Sequence, residues 1–233
     1  MTAVPGTLGR VAAEPHPWPP GGEVVVARTA LLCVDWQGEF CLPDGYLAAM
    51  GYGTAAIRAC LAPTAAVLAA ARRAGMRVAY TREGYRTDLG DCAPHKLWRS
   101  ARAGARIGAL SGRGRTLVRG QPGWQVVPEL APEPGDWVID KPGKGAFYAS
   151  DLELVLRANG ISHLVVTGAL ADVSVGSAVR EAADRGFECL LLSDCTGATS
   201  YGTYVGALEM VTAHGGLFGA VGTSAAFIAA LGG

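Results

Sequence analysis

One unit recurs four times along this chain and leaves few folds open: an amphipathic helix, a glycine that stops it, and an apolar strand that begins at once. Val67, Ala70, Ala71 and Ala74 fall at the i, i+3, i+4, i+7 spacing of one helix face. Gly75 follows where a left-handed residue closes a helix, and MRVAYT comes next. Ser150 and Glu153 have the spacing of a capping box ahead of Leu152, Val155 and Leu156, and Gly160 stops that helix before ISHLVVTG. Val175, Ala178, Val179 and Ala182 line a third helix, ended by Gly186 before FECLLLSD. Tyr204, Ala207, Leu208 and Val211 line a fourth, ended by Gly215 before LFGAVG. TALLCVD from Thr29 and WVIDK from Trp137 bring the strands to six. Such continuous apolar runs suit parallel strands covered on both faces, and the alternation with helices implies right-handed crossovers. The expected fold is α/β, a three-layer, doubly wound, mostly parallel six-stranded sheet, with 84–135 as its least regular stretch.

Composition narrows the function classes. Lys plus Arg equals Asp plus Glu at 20 each, so there is no net attraction to nucleic acid or an anionic membrane. Half of the 233 residues are apolar, which suits a large core in one domain over 29–233. Residues 1–28 hold five of the 13 prolines and read as an irregular arm that could pack on a neighbour. No signal-peptide pattern opens the sequence, and Ala59–Ala71, its most apolar long stretch, is interrupted by Pro63 and too short to span a bilayer. The six cysteines form no CxxC pair and no zinc-ligand spacing, so reduced thiols in the cytoplasm are expected.

In doubly wound sheets ligands bind beyond the carboxyl ends of the strands. Three polar residues fall there: Asp35 after TALLCV, Lys141 closing WVIDK, and Ser174 in the turn after HLVVTG. Singly, each has an ordinary structural explanation as a satisfied acid, a loop lysine or a helix N-cap. Jointly, they put a carboxylate, an ammonium and a hydroxyl on one sheet edge, the hydroxyl at a helix start whose free N–H groups can hold an oxyanion. That set suits nucleophilic acyl transfer.

These segments carry a resemblance. VDWQGEF, DKPGKGAF and TGALADVSV resemble the aspartate, lysine and nucleophile segments of the isochorismatase-like cysteine hydrolases, a Rossmann-like family. PHPWPPGG, YTREGYRTDL, KLWRS, RGQPGW, DLELVLRANGI, REAADRGFECLLLSDC and HGGLFGAV are most similar to biuret hydrolases. Ureidoacrylate and N-carbamoylsarcosine amidohydrolases are more distant. The resemblance implies hydrolysis of a C–N bond in a small ureide or amide, a homotetramer, no cofactor and no metal; the metal cluster of the related nicotinamidases has no counterpart between Tyr80 and Asp91. It implies catalytic roles for Asp35, Lys141 and the residue at 174, and an oxyanion hole from the N–H groups of Ala171 and Ser174. In that family the peptide before the turn is usually cis. Phe40 would stack on a planar substrate, Arg82 and Lys144 would meet its carbonyl oxygens, and Leu170 would line the pocket; His214, where biuret hydrolases place a glutamine, would either line it too or stand as a helix-end histidine facing the C-terminal dipole.

One departure bears on the chemistry. The family places cysteine where this chain has Ser174, and a hydroxyl is a far weaker acid than a thiol at a site tuned for thiolate. Three readings stay open: a substitution that traps substrate in a cysteine amidohydrolase, a member that has left covalent chemistry and uses Asp35 and Lys141 as an acid/base pair, and a catalytically silent metabolite-binding chain. Cys195, after the LLLSD strand, is a conceivable displaced nucleophile. Finally, Cys92–Pro128 holds no acid but has Lys96, Arg99, Arg102, Arg106, Arg113, Arg115 and Arg119, either a solvated segment or a basic rim that steers small anions.

Overall fold

In the computed structural model, which describes residues 6–22 and 24–232, the six expected strands lie in one sheet and a seventh joins them. The strands are β1 (Ala13–Glu14), β2 (Thr29–Val34), β3 (Arg77–Glu83), β4 (Trp137–Lys141), β5 (His163–Ala169), β6 (Glu188–Gly197) and β7 (Ala220–Gly222). Their spatial order is β1-β7-β6-β5-β2-β3-β4, parallel throughout except for β1 against β7. The extra strand corrects the expected count of six. It comes from the arm, and two residues are too few to leave a period in the sequence.

The helices are α1 (Leu61–Arg73), α2 (Pro94–Arg102), α3 (Leu152–Ala158), α4 (Gly176–Asp184), α5 (Tyr201–Gly216) and α6 (Ser224–Leu231), with single turns at Gly38–Cys41 and Tyr46–Ala49. Strand residues alternate between two cores. Leu31, Cys33, Val165 and Leu190 pack with Val67, Leu68 and Phe227 on one face, whereas Leu32, Val34, Val166 and Leu191 pack with Leu156, Val179 and Val211 on the other. Each large apolar side chain buried this way contributes about 1.5–3 kcal/mol. The four stop glycines adopt φ between +69° and +81° as the grammar requires.

Three local expectations change. Ser150 does not form the expected capping box: its hydroxyl donates to Ala146 O at 2.6 Å and accepts from Leu152 N–H at 3.4 Å, Asp151 is the residue that precedes the helix, and Glu153 pairs with Arg185 at 3.0 Å. Pro63 does not interrupt the apolar run, because it falls in the first turn of α1, where a missing N–H costs little. A short helix, Ala55–Ala59, meets α1 at Cys60; taken as one stretch, Ala55–Arg73 is long and apolar enough by length and composition to cross a membrane, yet it packs Val67, Leu68 and Ala71 into the core. The arm packs on its own chain: Val11 and Trp18 are fully buried, Trp18 meets the His163 ring edge-on at 5.7 Å, and Gly9 N–H donates to Ala230 O. Residues 1–5 and 23 of that arm, and Gly233, lie outside the described residues.

Candidate active site

β2 lies inside the sheet, with β5 on one side and β3 on the other, so the chain leaving Val34 is flanked by the ends of both. Val34 pairs with Gly168 and with Thr81. A Cβ on Gly168 would come within 2.6 Å of Val34 O and 2.7 Å of Val175 Cγ2, so only glycine lets the turn after β5 close onto the end of β2. That contact holds the Ser174 turn beside Asp35.

Asp35 is fully buried and turns the chain out of the sheet in the left-handed region, φ +53°. Its Oδ2 accepts from Lys141 Nζ at 2.7 Å and its Oδ1 from the Thr81 hydroxyl at 2.7 Å. Lys141, equally buried, reaches across β3 and also donates to the carbonyl oxygens of Gly143 and Lys144 at 2.8 and 3.0 Å. All three ammonium donors are used, and the charge is fixed in place.

A second ion pair lies alongside. Lys144 Nζ is 2.8 Å from both oxygens of Glu83, which is fully buried. Burial pushes the Glu83 carboxyl up, but the Lys144 and Lys141 ammoniums outweigh it and hold it below its ordinary 4.5. Burial likewise disfavours the Lys144 ammonium, and Glu83 reverses that and raises its pKa. The backbone of Glu83 is clamped by buried Gln37, whose Oε1 accepts from Glu83 N–H at 2.7 Å while its Nε2 donates to Glu83 O at 2.9 Å.

Residues Ala171–Val175 form one wide turn with i to i+5 bonding, a π-bulge geometry that recurs at functional sites. Leu170 O accepts from the N–H groups of both Val173 and Val175. Among the described residues, no group outside the turn accepts from the N–H of Ala171 or of Ser174, and the Ser174 hydroxyl, on a side chain buried to 2% exposure, makes no hydrogen bond. The start of α4 follows at once and adds its positive dipole end. The peptide before this turn, whose isomer the sequence leaves open, is trans: among the described residues only Glu14–Pro15 and Trp18–Pro19 are cis, and the chain reverses through Leu170 at φ +68°.

Phe40, buried, sits with its ring 5.8 Å from Lys144 Nζ, so Phe40, Lys144, Leu170 and the Ser174 turn gather on the edge that carries Asp35 and Lys141. Two expected residues do not. Arg82 alternates to the other side of β3 from Thr81 and Glu83; it stacks on Trp124, its guanidinium carbon 3.7 Å from the ring centroid, and pairs with Asp140 at 2.9 Å. His214 lies at the far end of α5, which starts at the active edge after β6 and runs back to the opposite edge, where β7 begins. It is exposed, in a left-handed break at φ +54°.

The cysteines offer no substitute. All six are free and buried, and burial pushes the Cys195 and Cys33 thiols up to about 12 and Cys60 to about 11. Thr81, Glu83 and Gln37 escaped the sequence reading, although the i, i+2 spacing of Thr81 and Glu83 on a strand beside Asp35 was the available signal. Among the described residues no group of three or more His, Cys, Asp or Glu is arranged to hold a metal ion. A cavity of about 310 Å³ opens beside the Glu83–Lys144 pair, whereas a larger one of about 800 Å³ runs between the arm and α5 and touches none of the site residues.

The isochorismatase domain model matches residues 29–226. Ureidoacrylate amidohydrolase RutB of Azorhizobium caulinodans is 32% identical over 189 residues, covering 79% of this chain and 81% of the relative. The protein of the same name from Caulobacter segnis is 32% identical over 187 residues, 79% and 77% of the two chains. Among solved structures, a cysteine hydrolase from Pseudomonas syringae superposes with TM-score 0.78 at 26% identity over 96% of this chain and 97% of its own. N-carbamoylsarcosine amidase from Thermoplasma acidophilum gives 0.65 at 25% over 84% and 96%.

Proposed function

The chain belongs to the isochorismatase family, and on that premise we propose that it is an amidohydrolase cleaving a C–N bond in a small ureide. The observation that carries this reading is the buried Asp35–Lys141 pair at the sheet edge that also bears the Ser174 turn. Asp35 takes the proton of the nucleophile at 174 as that atom attacks the ureide carbonyl, and returns it to the leaving amine. Lys141 offsets the charge that develops, and the N–H groups of Ala171 and Ser174 hold the oxyanion. Lys144 and Phe40 seat the planar substrate. Water then cleaves the acyl intermediate.

The relatives support ureidoacrylate as the first substrate to try, while the similarity of many short segments to biuret hydrolases supports biuret. The test is Ser174→Cys, with ammonia release measured on both and on N-carbamoylsarcosine. Activity should rise by two or more powers of ten, because a thiol is the better acid. No rise with any of them refutes the covalent scheme.

One observation favours a second reading, noncovalent acid/base chemistry by Asp35 and Lys141: the Ser174 hydroxyl has no base bonded to it. In that case Ser174→Ala keeps turnover and Asp35→Asn abolishes it. A homotetramer, testable by light scattering, and a reducing cytoplasmic setting, supported by six unpaired buried thiols, complete the proposal.

A further inference from the structure

Of the seven basic residues between Cys92 and Pro128, three are tied to acids or carbonyl oxygens away from the cavity beside Glu83 and Lys144. Arg113 pairs with Asp44 at 2.5 Å, Arg115 donates to the carbonyl oxygens of Gly108 and Thr87, and Arg119 donates to Gly84 O and lies 3.4 Å from Asp91. Two others, Lys96 and Arg99, stand one turn apart on α2 and face the cavity of about 310 Å³ whose other wall is Glu83 and Lys144. Neither has a carboxylate partner among the described residues. Both oxygens of Glu83 are already taken by Lys144, so the lining carries three cations against one committed anion.

The cavity wall is tied to the catalytic pair through the backbone. Lys96 Nζ donates to Pro142 O at 2.9 Å, and the next residue, Gly143, gives its carbonyl to Lys141 Nζ at 2.8 Å. Tyr46 and Tyr85 supply an apolar wall with phenolic ends, and burial raises the pKa of both, which keeps them neutral O–H donors. Lys96 is partly buried and Arg99 stands exposed at the mouth, so both cations are open to an anion entering from solvent.

We propose that this cavity receives a carboxylate on the substrate, held by Arg99 and Lys96, so that the enzyme acts on an anionic ureide rather than a neutral one. The inference rests on the amidohydrolase reading and specifies its substrate class: a ureido group placed against Lys144 and Phe40, joined by a short spacer to a carboxylate at α2. A guanidinium matches a planar carboxylate in two parallel hydrogen bonds, and in a site of this size the charge supplies most of the discrimination.

The experiment is calorimetric titration of the protein with N-carbamoyl-β-alanine, with its carboxamide, and with biuret. The carboxylate should bind about tenfold or more tightly than the carboxamide, as one charge-assisted contact is worth. Arg99→Ala should collapse that ratio and Arg99→Lys should retain part of it. Arg102→Ala removes a cation of the same helix that sits over Trp98, its guanidinium carbon 5.2 Å from the ring centroid, outside the cavity; the ratio should survive that change. Equal effects of Arg99→Ala and Arg102→Ala would mean a diffuse surface field and overturn the proposal, as would a carboxamide that binds as well as the acid. Inorganic phosphate competing more strongly than acetate would assign the cavity to a phosphoryl group and overturn it too. If ureides bind but Arg99 is indifferent, only this inference fails. If neither N-carbamoyl-β-alanine nor biuret binds, the amidohydrolase reading fails and takes the inference with it.

Discussion

Lys141 Nζ lies 2.7 Å from Asp35 Oδ2, and neither side chain has any exposed surface. Two charges so placed depend on each other more than the fold depends on them, because removing one leaves the other buried and unpaired. Lys141→Met should therefore cost about 3–5 kcal/mol in urea denaturation, while the Asp35→Leu, Lys141→Met double variant should recover a large part of that loss. Additive losses would show that the pair is not coupled.

Glu83 and Lys144 carry a pH signature. The folded Glu83 carboxyl titrates below 4.5, so its stabilising contribution is present above that value and is lost as pH falls through the folded pKa. Lys144 titrates above its ordinary 10.5, so its share is present below that value and is lost only as pH rises past it. Glu83→Gln should cost about 2 kcal/mol at pH 6, less than a fully buried pair because the Lys144 stem is partly exposed. The gap between wild type and variant, followed by urea denaturation, should narrow from pH 6 to pH 3.

Gly168→Ala should be disproportionately harmful for one added methyl. The Cβ would press on the Val34 carbonyl and on Val175, forcing apart the strand that ends at Asp35 and the turn that carries Ser174. A loss of about 2–3 kcal/mol in thermal or chemical unfolding is expected, with reduced ligand binding even where the variant folds.

The six cysteines should be silent in the folded state. A thiol reacts as thiolate, and burial raises every one of the six. Reaction with an aromatic disulfide reagent at pH 8 should register essentially none before denaturation and six after it. In Ser174→Cys one fast-reacting thiol should appear.

Much of this was legible because it is periodic. The helix, glycine and strand units survive translation into structure, and Asp35 and Lys141 stood out as polar residues closing apolar runs. Thr81 and Glu83 did not, since they continue a strand without a break and only the register with β2 reveals what they face. Ser150 and Glu153 had the right spacing for a cap, but a carbonyl one turn back competed for the hydroxyl and Arg185 for the acid. His214 was assigned by likeness of segments, although the grammar itself excludes it: a helix that leaves the active edge must end at the other one. The arm looked irregular because its order comes from distant partners, so Trp18→Ala should cost about 3–5 kcal/mol where a solvent-exposed arm would lose almost nothing.

The pairing of Glu14 with Val221 sets a timetable for the chain. The first strand of the sheet in sequence is bonded to the last, and Gly9 reaches the final helix at Ala230. At ribosomal speeds of 5–20 residues per second, about 10–40 s separate the emergence of the arm from that of its partner strand. Through that interval Glu14 has no strand to pair with, and the open edge of β6 has no neighbour until β7 arrives. The arm is thus set in place only after β7, although it is made well before that strand, and the nascent chain is at its most adhesive in the interval between them.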